Sequence, residues 1–301
     1  MTQLTAGEVA DNISVTLQSA GNDNPRLEAR ILLAYVLGVE QMRIFSHPEM
    51  AVSDAHQQQL EKLVTRRLKK EPIALIVGEK EFWSHTFKVN EQTLVPRPDT
   101  ETLIAAAVKI GKNLNESLRV LDLGTGSGCI LLSILSEFEN ATGVGIDLND
   151  KALAVAAQNA RSLELVSRSE FRQGHWMEGL KKNFPDGFSM VVSNPPYIPN
   201  SDIPYLMTDV TGYEPHLALR GGEDGLDCYR EIASQLDEVL QSGGYFICEI
   251  GQEQEIDVEG IFSGYGYRMT EKTCDLAGIV RCLIFRSQNR EKEEKNTWKD
   301  G

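Results

Sequence analysis

No apolar run in the 301 residues approaches the ~20 needed for a membrane-spanning helix. The opening Met-Thr-Gln-Leu-Thr-Ala-Gly-Glu has neither a basic n-region nor an Arg-rich transit pattern, so a cytosolic protein is expected. Cysteine is scarce: five residues, an odd count without a C-x-x-C pair, argue against a disulfide framework and against zinc. Cys129, Cys248 and Cys282 sit in apolar strings and read as buried thiols. The five histidines are scattered without metal-ligand spacing, and no metal site is expected. Basic charge is also short. Thirty Lys and Arg against 44 Asp and Glu give a net charge of −14, which weighs against tight binding to bare nucleic acid, where cations must replace counterions on phosphate. The one local counterweight, Arg66-Arg-Leu-Lys-Lys70, reads as a solvated helix face with charge suited to a helix C-terminus. No internal repeat is present.

What the chain does have is enough apolar content, 41%, to build real cores, and a length that suits two domains. Residues 1–71 read as a small helical domain. Its helices are expected over Gly7 to Ser19, Pro25 to Leu37 and Ser53 to Lys70, with Leu27, Ile31, Leu32 and Tyr35 as one core stripe. Residues 72–98 read as a linker hairpin built on Ile76 to Phe82 and Thr86 to Val89. Residues 99–286 begin with a helix to about Ile110 and continue as strands near 118–123, 142–147, 168–173, 188–193, 243–250, 266–271 and 279–285, with helices between. Seven such strands predict a doubly wound α/β sheet, the last two forming an antiparallel hairpin at its edge. The tail 287–301 is polar, balanced in charge, and expected to be disordered.

The chemistry gathers at strand ends. Leu118-Arg-Val-Leu-Asp-Leu-Gly-Thr-Gly-Ser-Gly128 is a buried strand entering a glycine turn and then a helix, Cys129 to Phe138. The spacing Gly124, Gly126, Gly128 differs from the G-x-G-x-x-G that seats a pyrophosphate, which disfavours a nicotinamide or flavin. The next strand ends in Asp147, whose carboxylate can accept both hydroxyls of a ribose. The other reading makes a strand-end Asp the cap of the following helix, a role Asp150 can also take. A third strand, Phe188 to Ser193, runs into Asn194-Pro195-Pro196-Tyr197. The Asn side chain and the carbonyl of a proline can both accept from one incoming NH2 group, and the two prolines stiffen the loop. Tyr197 supplies a flat face for an amide or a base. A rigid surface turn is the bland reading of Pro-Pro; the strand before it and the glycine loop upstream favour the site.

These runs, Asp122 to Cys129, Gly145-Ile-Asp147 with Ala152 to Ala160, and Ser193 to Ile198, closely resemble the HemK-type protein-glutamine methyltransferases. Glu71 to Trp83, Leu94 to Glu101, Tyr213-Glu-Pro215, Gly222 to Leu226 and Glu249-Ile-Gly251 with Gln254 extend the resemblance over roughly residues 26 to 285. It implies a class I, Rossmann-like methyltransferase sheet with S-adenosylmethionine as cofactor. It also implies class 1 peptide chain release factors as partners, methylated on the glutamine of Gly-Gly-Gln, and a monomer is expected. The strand-end motifs and the resemblance together put Gly124, Thr125, Gly126, Ser127, Gly128, Asp147, Trp176 and Asn194 at the cofactor and Asn194, Pro195, Pro196 and Tyr197 at the substrate, with Asn194, Pro195 and Tyr197 as the expected catalytic residues; the resemblance implies that Arg97 to Glu101 border the pocket. The chain departs from the family at His175-Trp176, where Asp-Trp is usual. Trp176 reads either as a stacking partner for the purine or as a partly buried core aromatic, and His175 as a local hydrogen-bonding residue rather than a base. Asp275-Leu-Ala-Gly-Ile-Val-Arg281 replaces two charged family positions with apolar ones. Three other functions fit parts of the pattern: a nucleic-acid exocyclic-amine methyltransferase, disfavoured by the acidic charge; a dehydrogenase, disfavoured by the glycine spacing; and a non-catalytic S-adenosylmethionine-binding protein, disfavoured by the intact tetrapeptide.

Overall fold

The computed structural model describes residues 4–114 and 117–287. The chain divides into two compact units, one running to Glu79 and including Met207–Tyr213, the other formed by Lys80–Leu206 and the chain from Glu214 on. The expected polar tail lies outside the described residues except for Ser287.

The first unit is helical: α1 (Ala6–Ser19), α2 (Pro25–Leu37), α3 (Gln41–Ser46), α4 (Asp54–Leu68) and α5 (Ile73–Val77). Thr5 and Glu8 form a reciprocal capping box on α1, Pro25 starts α2, and Gly38 ends it in the left-handed conformation. The core face of α2 is not the expected stripe. Leu32 is buried, but Leu27 and Tyr35 are 45% and 47% exposed; Ala29, Leu33 and Val36 face inward instead. This helix is apolar around much of its circumference, so the pattern alone left two faces open. The basic run is not a solvated face either. Arg67 is buried and forms a fork with Glu28, Nε to Oε2 at 2.9 Å and Nη2 to Oε1 at 3.0 Å; Arg66 pairs with Glu71, and Lys70 donates to the Ala20 carbonyl. These contacts staple the unit internally.

The expected first arm of the hairpin, Ile76 to Phe82, opens on the last residues of α5, a five-residue helix between Pro72 and left-handed Gly78, and only Glu79 to Phe82 of it are strand. Short apolar runs do not distinguish helix from strand by period. The hairpin follows as β1 (Glu79–Phe82) and β2 (His85–Lys88).

After α6 (Glu101–Gly111), strands and helices alternate: β3 (Arg119–Leu123), α7 (Cys129–Glu137), β4 (Thr142–Asp147), α8 (Asp150–Ser162), β5 (Ser169–Gln173), α9 (Leu180–Asn183) and β6 (Phe188–Ser193). Next come α10 (Thr208–Thr211), which belongs to the helical unit, then α11 (Asp227–Gln235), β7 (Leu240–Glu249), α12 (Glu255–Gly264), β8 (Tyr267–Cys274) and β9 (Val280–Ser287). The sheet order is β5-β4-β3-β6-β7-β9-β8, with β9 antiparallel to both neighbours and every other pairing parallel. The terminal strands do form the antiparallel pair, with β9 inserted inside and β8 at the edge.

Alternation along the strands divides two cores. Val120, Met190, Val192, Ile247 and Ile284 pack under α6 and α7, whereas Leu121, Val191, Phe246, Leu283 and Phe285 face α11 and α12. The strand order reverses between β3 and β6, so the loops leaving their carboxyl ends diverge around a crevice, where such sheets bind ligands.

Candidate functional site

A cavity of about 440 Å³ opens at the carboxyl ends of β3, β4, β5 and β6. That volume lies within the range of small-molecule sites. Gly124, Gly126, Asp147, Trp176, Asn194 and Pro196 all reach its wall. Four separate strand-end motifs therefore meet at one hollow.

The glycine turn is shaped from beneath. Asp122, fully buried, accepts from Thr125 Oγ1 at 2.6 Å and from the Leu131 N–H at 3.3 Å. Burial pushes its carboxyl up to about 7 against the pull of those two bonds. Gly124 and Gly126 have φ of +73° and +54°, and a Cβ built on either would meet no protein atom within 4 Å, so both edges stand open to the cavity. Thr125, Ser127 and Gly128 do not reach the wall. Thr125 turns to Asp122; Ser127 is buried, and its carbonyl accepts from Asn159; Gly128 starts α7, with Ala156 3.1 Å from where its Cβ would lie.

Asp147 lines the cavity beside this turn, with Oδ2 accepting from the Gly126 N–H at 2.8 Å and Oδ1 from the Asn149 N–H at 2.9 Å. Burial raises its pKa, opposed by these backbone donors. It does not cap α8, and neither does Asp150. Asn149 does, accepting from the Lys151 N–H at 3.1 Å. At the β5 end, His175 and Trp176 both converge on Glu231 of α11: Trp176 Nε1 donates to Oε2 at 2.7 Å, and His175 Nε2 lies 3.3 Å from the same oxygen. A carboxylate from another element thus stands at the rim next to His175. Glu231 was not singled out from sequence, because its helix lies 55 residues downstream of Trp176.

The tetrapeptide is clamped rather than merely stiff. The Ile198 N–H donates to Leu219, and the Ile198 carbonyl accepts from Gly221; Gln254 Nε2 donates to the Tyr197 carbonyl at 3.0 Å. A Cβ on Gly221 would come within 2.8 Å of the Tyr197 backbone, which explains the glycine there. Pro195 is buried, and Tyr197 packs partly buried against the core, its hydroxyl donating to Glu249 Oε1 at 3.3 Å. The aromatic face expected for the substrate is therefore tied into the loop's foundation. Burial raises the Tyr197 pKa, and the neighbouring Glu249 raises it further. Of Arg97 to Glu101, Thr100 reaches the site residues, accepting from Asn194 Nδ2 at 3.3 Å; Arg97 pairs with Glu214, Asp99 lies 3.5 Å from Arg281, and Glu101 accepts from the Trp83 N–H.

Among the described residues no cluster of three His, Cys, Asp or Glu could hold a metal ion, and no helix is long and apolar enough to cross a membrane. Cys248 and Cys282 are buried, while Cys129 is half-buried.

The family described as PrmC N-terminal domain matches residues 8–78, and the family described as methyltransferase domain matches residues 114–298. The release factor glutamine methyltransferase of Rhodospirillum rubrum is 40% identical over 283 residues, covering 94% of this chain and 85% of its own length. The chain belongs to the release factor glutamine methyltransferase family. The member from Caulobacter vibrioides is 41% identical over 268 residues, covering 89% and 91% of the two chains. Among solved structures, the hMettl16 catalytic domain in complex with a 3′UTR hairpin superposes with a TM-score of 0.54 at 14% identity, over 79% of this chain and 84% of that one, a likeness of fold alone.

Proposed function

We infer that the protein transfers a methyl group from S-adenosylmethionine to the side-chain amide nitrogen of the glutamine in the Gly-Gly-Gln motif of class 1 peptide chain release factors. The observation that carries this reading is Asn194, placed on the wall of the same cavity as the open glycine edges and Asp147. The hollow fits the cofactor: Gly126 and Gly124 leave backbone exposed for close approach, Asp147 offers a ribose acceptor, and Trp176 a face for the purine. Thr125, Ser127 and Gly128 serve that site from behind, by shaping the turn.

Bound S-adenosylmethionine supplies a methyl group made electrophilic by its sulfonium. The chain's own residues align the nucleophile. A glutamine nitrogen is a poor nucleophile because its lone pair is delocalised into the carbonyl. The Asn194 side-chain oxygen and the Pro195 carbonyl accept its two N–H groups, draw charge onto nitrogen and hold it in line. On taking the methyl group, with the sulfur keeping the electron pair of its former bond, the glutamine nitrogen would become positive, and the hydrogen bonds to Asn194 and Pro195 would strengthen, stabilising the transition state more than the ground state. The surplus proton leaves to solvent, and no dedicated base is required. Pro196 limits the cavity beside Asn194, and Tyr197 anchors the loop.

The net charge of −14 and the internal pairing of Arg66, Arg67 and Lys70 support a protein partner over bare nucleic acid. A monomer working in the cytoplasm is the simplest form of this reading. Incubation of the protein with isotope-labelled cofactor and, separately, a release factor, DNA and RNA tests it. Label on the release factor alone is expected; label on nucleic acid overturns the substrate assignment.

A further inference from the structure

Trp176 stands on the cavity wall in a backbone conformation that a bulky residue rarely adopts, with φ at +49°. Left-handed backbone is costly for a residue with a large side chain, and it persists only where the surrounding contacts over-determine it. Here they come from α11. Glu231 Oε2 accepts the Trp176 indole N–H at 2.7 Å, and Gln235 Oε1 accepts the Met177 backbone N–H at 3.3 Å.

Glu231 and Gln235 lie four residues apart, so they share one side of the helix. Tyr229, Ile232 and Ala233, all buried, root α11 in the core, and the Tyr229 hydroxyl donates to the Glu249 carbonyl at 2.9 Å. Met177 is fully buried in the same core. On the other side of the turn, the Gly174 N–H donates to the Asp147 carbonyl at 3.1 Å. The turn from Gly174 to Met177 is therefore fastened to the end of β4 at its start and to α11 at its end. An indole has a single hydrogen to donate, so one fixed acceptor sets the edge of the ring.

We propose that Glu231 and Gln235 are positioning residues that hold the strained Trp176 turn, and with it the indole face, ready for the purine of S-adenosylmethionine. This rests on the reading of Trp176 as the stacking partner of the purine. Without the two acceptors the turn relaxes, only the molecules with the ring in place bind, and apparent affinity falls by that fraction.

Glu231 also lines the cavity, so direct contact with the cofactor is the rival explanation; Gln235 lies off that wall. Glu231→Leu removes the acceptor, Glu231→Gln keeps a carbonyl oxygen, and Trp176→Phe keeps a ring without the N–H. Titration calorimetry with S-adenosylhomocysteine reads the affinity. Positioning predicts that Glu231→Leu weakens binding about 3- to 10-fold, as expected if about a third to a tenth of molecules keep the ring in place. Glu231→Gln should restore most of the affinity, and Gln235→Leu should weaken binding although it is off the wall. In a Trp176→Phe background, Glu231→Leu should add nothing. Proton NMR of the protein without cofactor gives a readout independent of binding. The indole N–H resonance of Trp176, assigned by its loss in Trp176→Phe, should lie downfield in the wild type and move upfield in Glu231→Leu. An equal loss from Glu231→Leu in both backgrounds makes Glu231 a direct contact and overturns the positioning role. Wild-type affinity in Glu231→Leu and Gln235→Leu overturns it as well. A wild type that does not bind S-adenosylhomocysteine, yet whose indole resonance moves in Glu231→Leu, instead overturns the cofactor reading and leaves the hold on Trp176 standing.

Discussion

Asp147 Oδ2 accepts the backbone N–H of Gly126 at 2.8 Å, so the acid at the end of β4 is tied to the glycine turn at the end of β3. Its other oxygen takes the Asn149 N–H, which fixes the carboxylate plane at the cavity wall. The carboxylate proposed as ribose acceptor and the backbone edges beside it are thus tied together. A ligand finds both already ordered.

Removing the charge while keeping the shape should expose this dual role. Asp147→Asn is expected to weaken S-adenosylmethionine binding by about tenfold or more, since each charge-assisted hydrogen bond is worth about 1.5–3 kcal/mol. Titration calorimetry reads the change directly. Unchanged affinity would remove Asp147 from the cofactor site.

Gly126→Ala tests the open edge. At φ +54° an alanine strains the backbone by about 1–2 kcal/mol, and its methyl would stand in the cavity. Cofactor affinity should fall by more than the melting temperature implies. A variant with normal affinity and only lower stability would show that the glycine serves the turn and not the ligand.

Glu249 makes folding depend on pH. Burial lifts its pKa from the usual 4.5 to about 7, against the opposing pull of Thr100, Tyr197 and Arg281. Between those two values the folded protein binds more protons than the unfolded chain, so this group's contribution to stability falls as pH rises from about 4.5 and is fully lost above about 7. Glu249→Gln has no such loss. Relative to wild type, the variant should therefore gain stability on going from about pH 4.5 to about pH 8, by on the order of 3 kcal/mol. Urea unfolding of both proteins across that range measures the gain. Asp122, also raised by burial, is common to both and cancels. Parallel stability curves would mean that Glu249 titrates normally.

Much of this was legible because it is local. The strands carrying Asp122, Asp147 and Ser193 run with the expected bounds, since their apolar runs are continuous and end in turn residues. The motifs at their ends then fall together because parallel strands place every carboxyl end on one side. What stayed hidden depends on long-range contacts. Thr100 meets Asn194 across 94 residues, and Glu249 meets Tyr197 across 52; no period or propensity encodes either. Leu27 and Tyr35 misled because an apolar residue at helical spacing has no way to declare which of two faces is covered. Ile76 and Val77 misled because a short apolar run suits the start of a strand as well as the end of one helical turn between Pro72 and Gly78.

The central claim is that Asn194 directs methyl transfer to one glutamine nitrogen. Wild type and Asn194→Ala should be incubated with S-adenosylmethionine and an intact release factor, and with a release factor whose Gly-Gly-Gln glutamine is changed to alanine. Tandem mass spectrometry then locates the added methyl. The prediction is a single methyl on that glutamine side chain, absent from the altered release factor. With Asn194→Ala it should form about 10²–10³ times more slowly, by analogy with a lost oxyanion-hole donor. Methyl on any other residue, or an undiminished rate with Asn194→Ala, would contradict it.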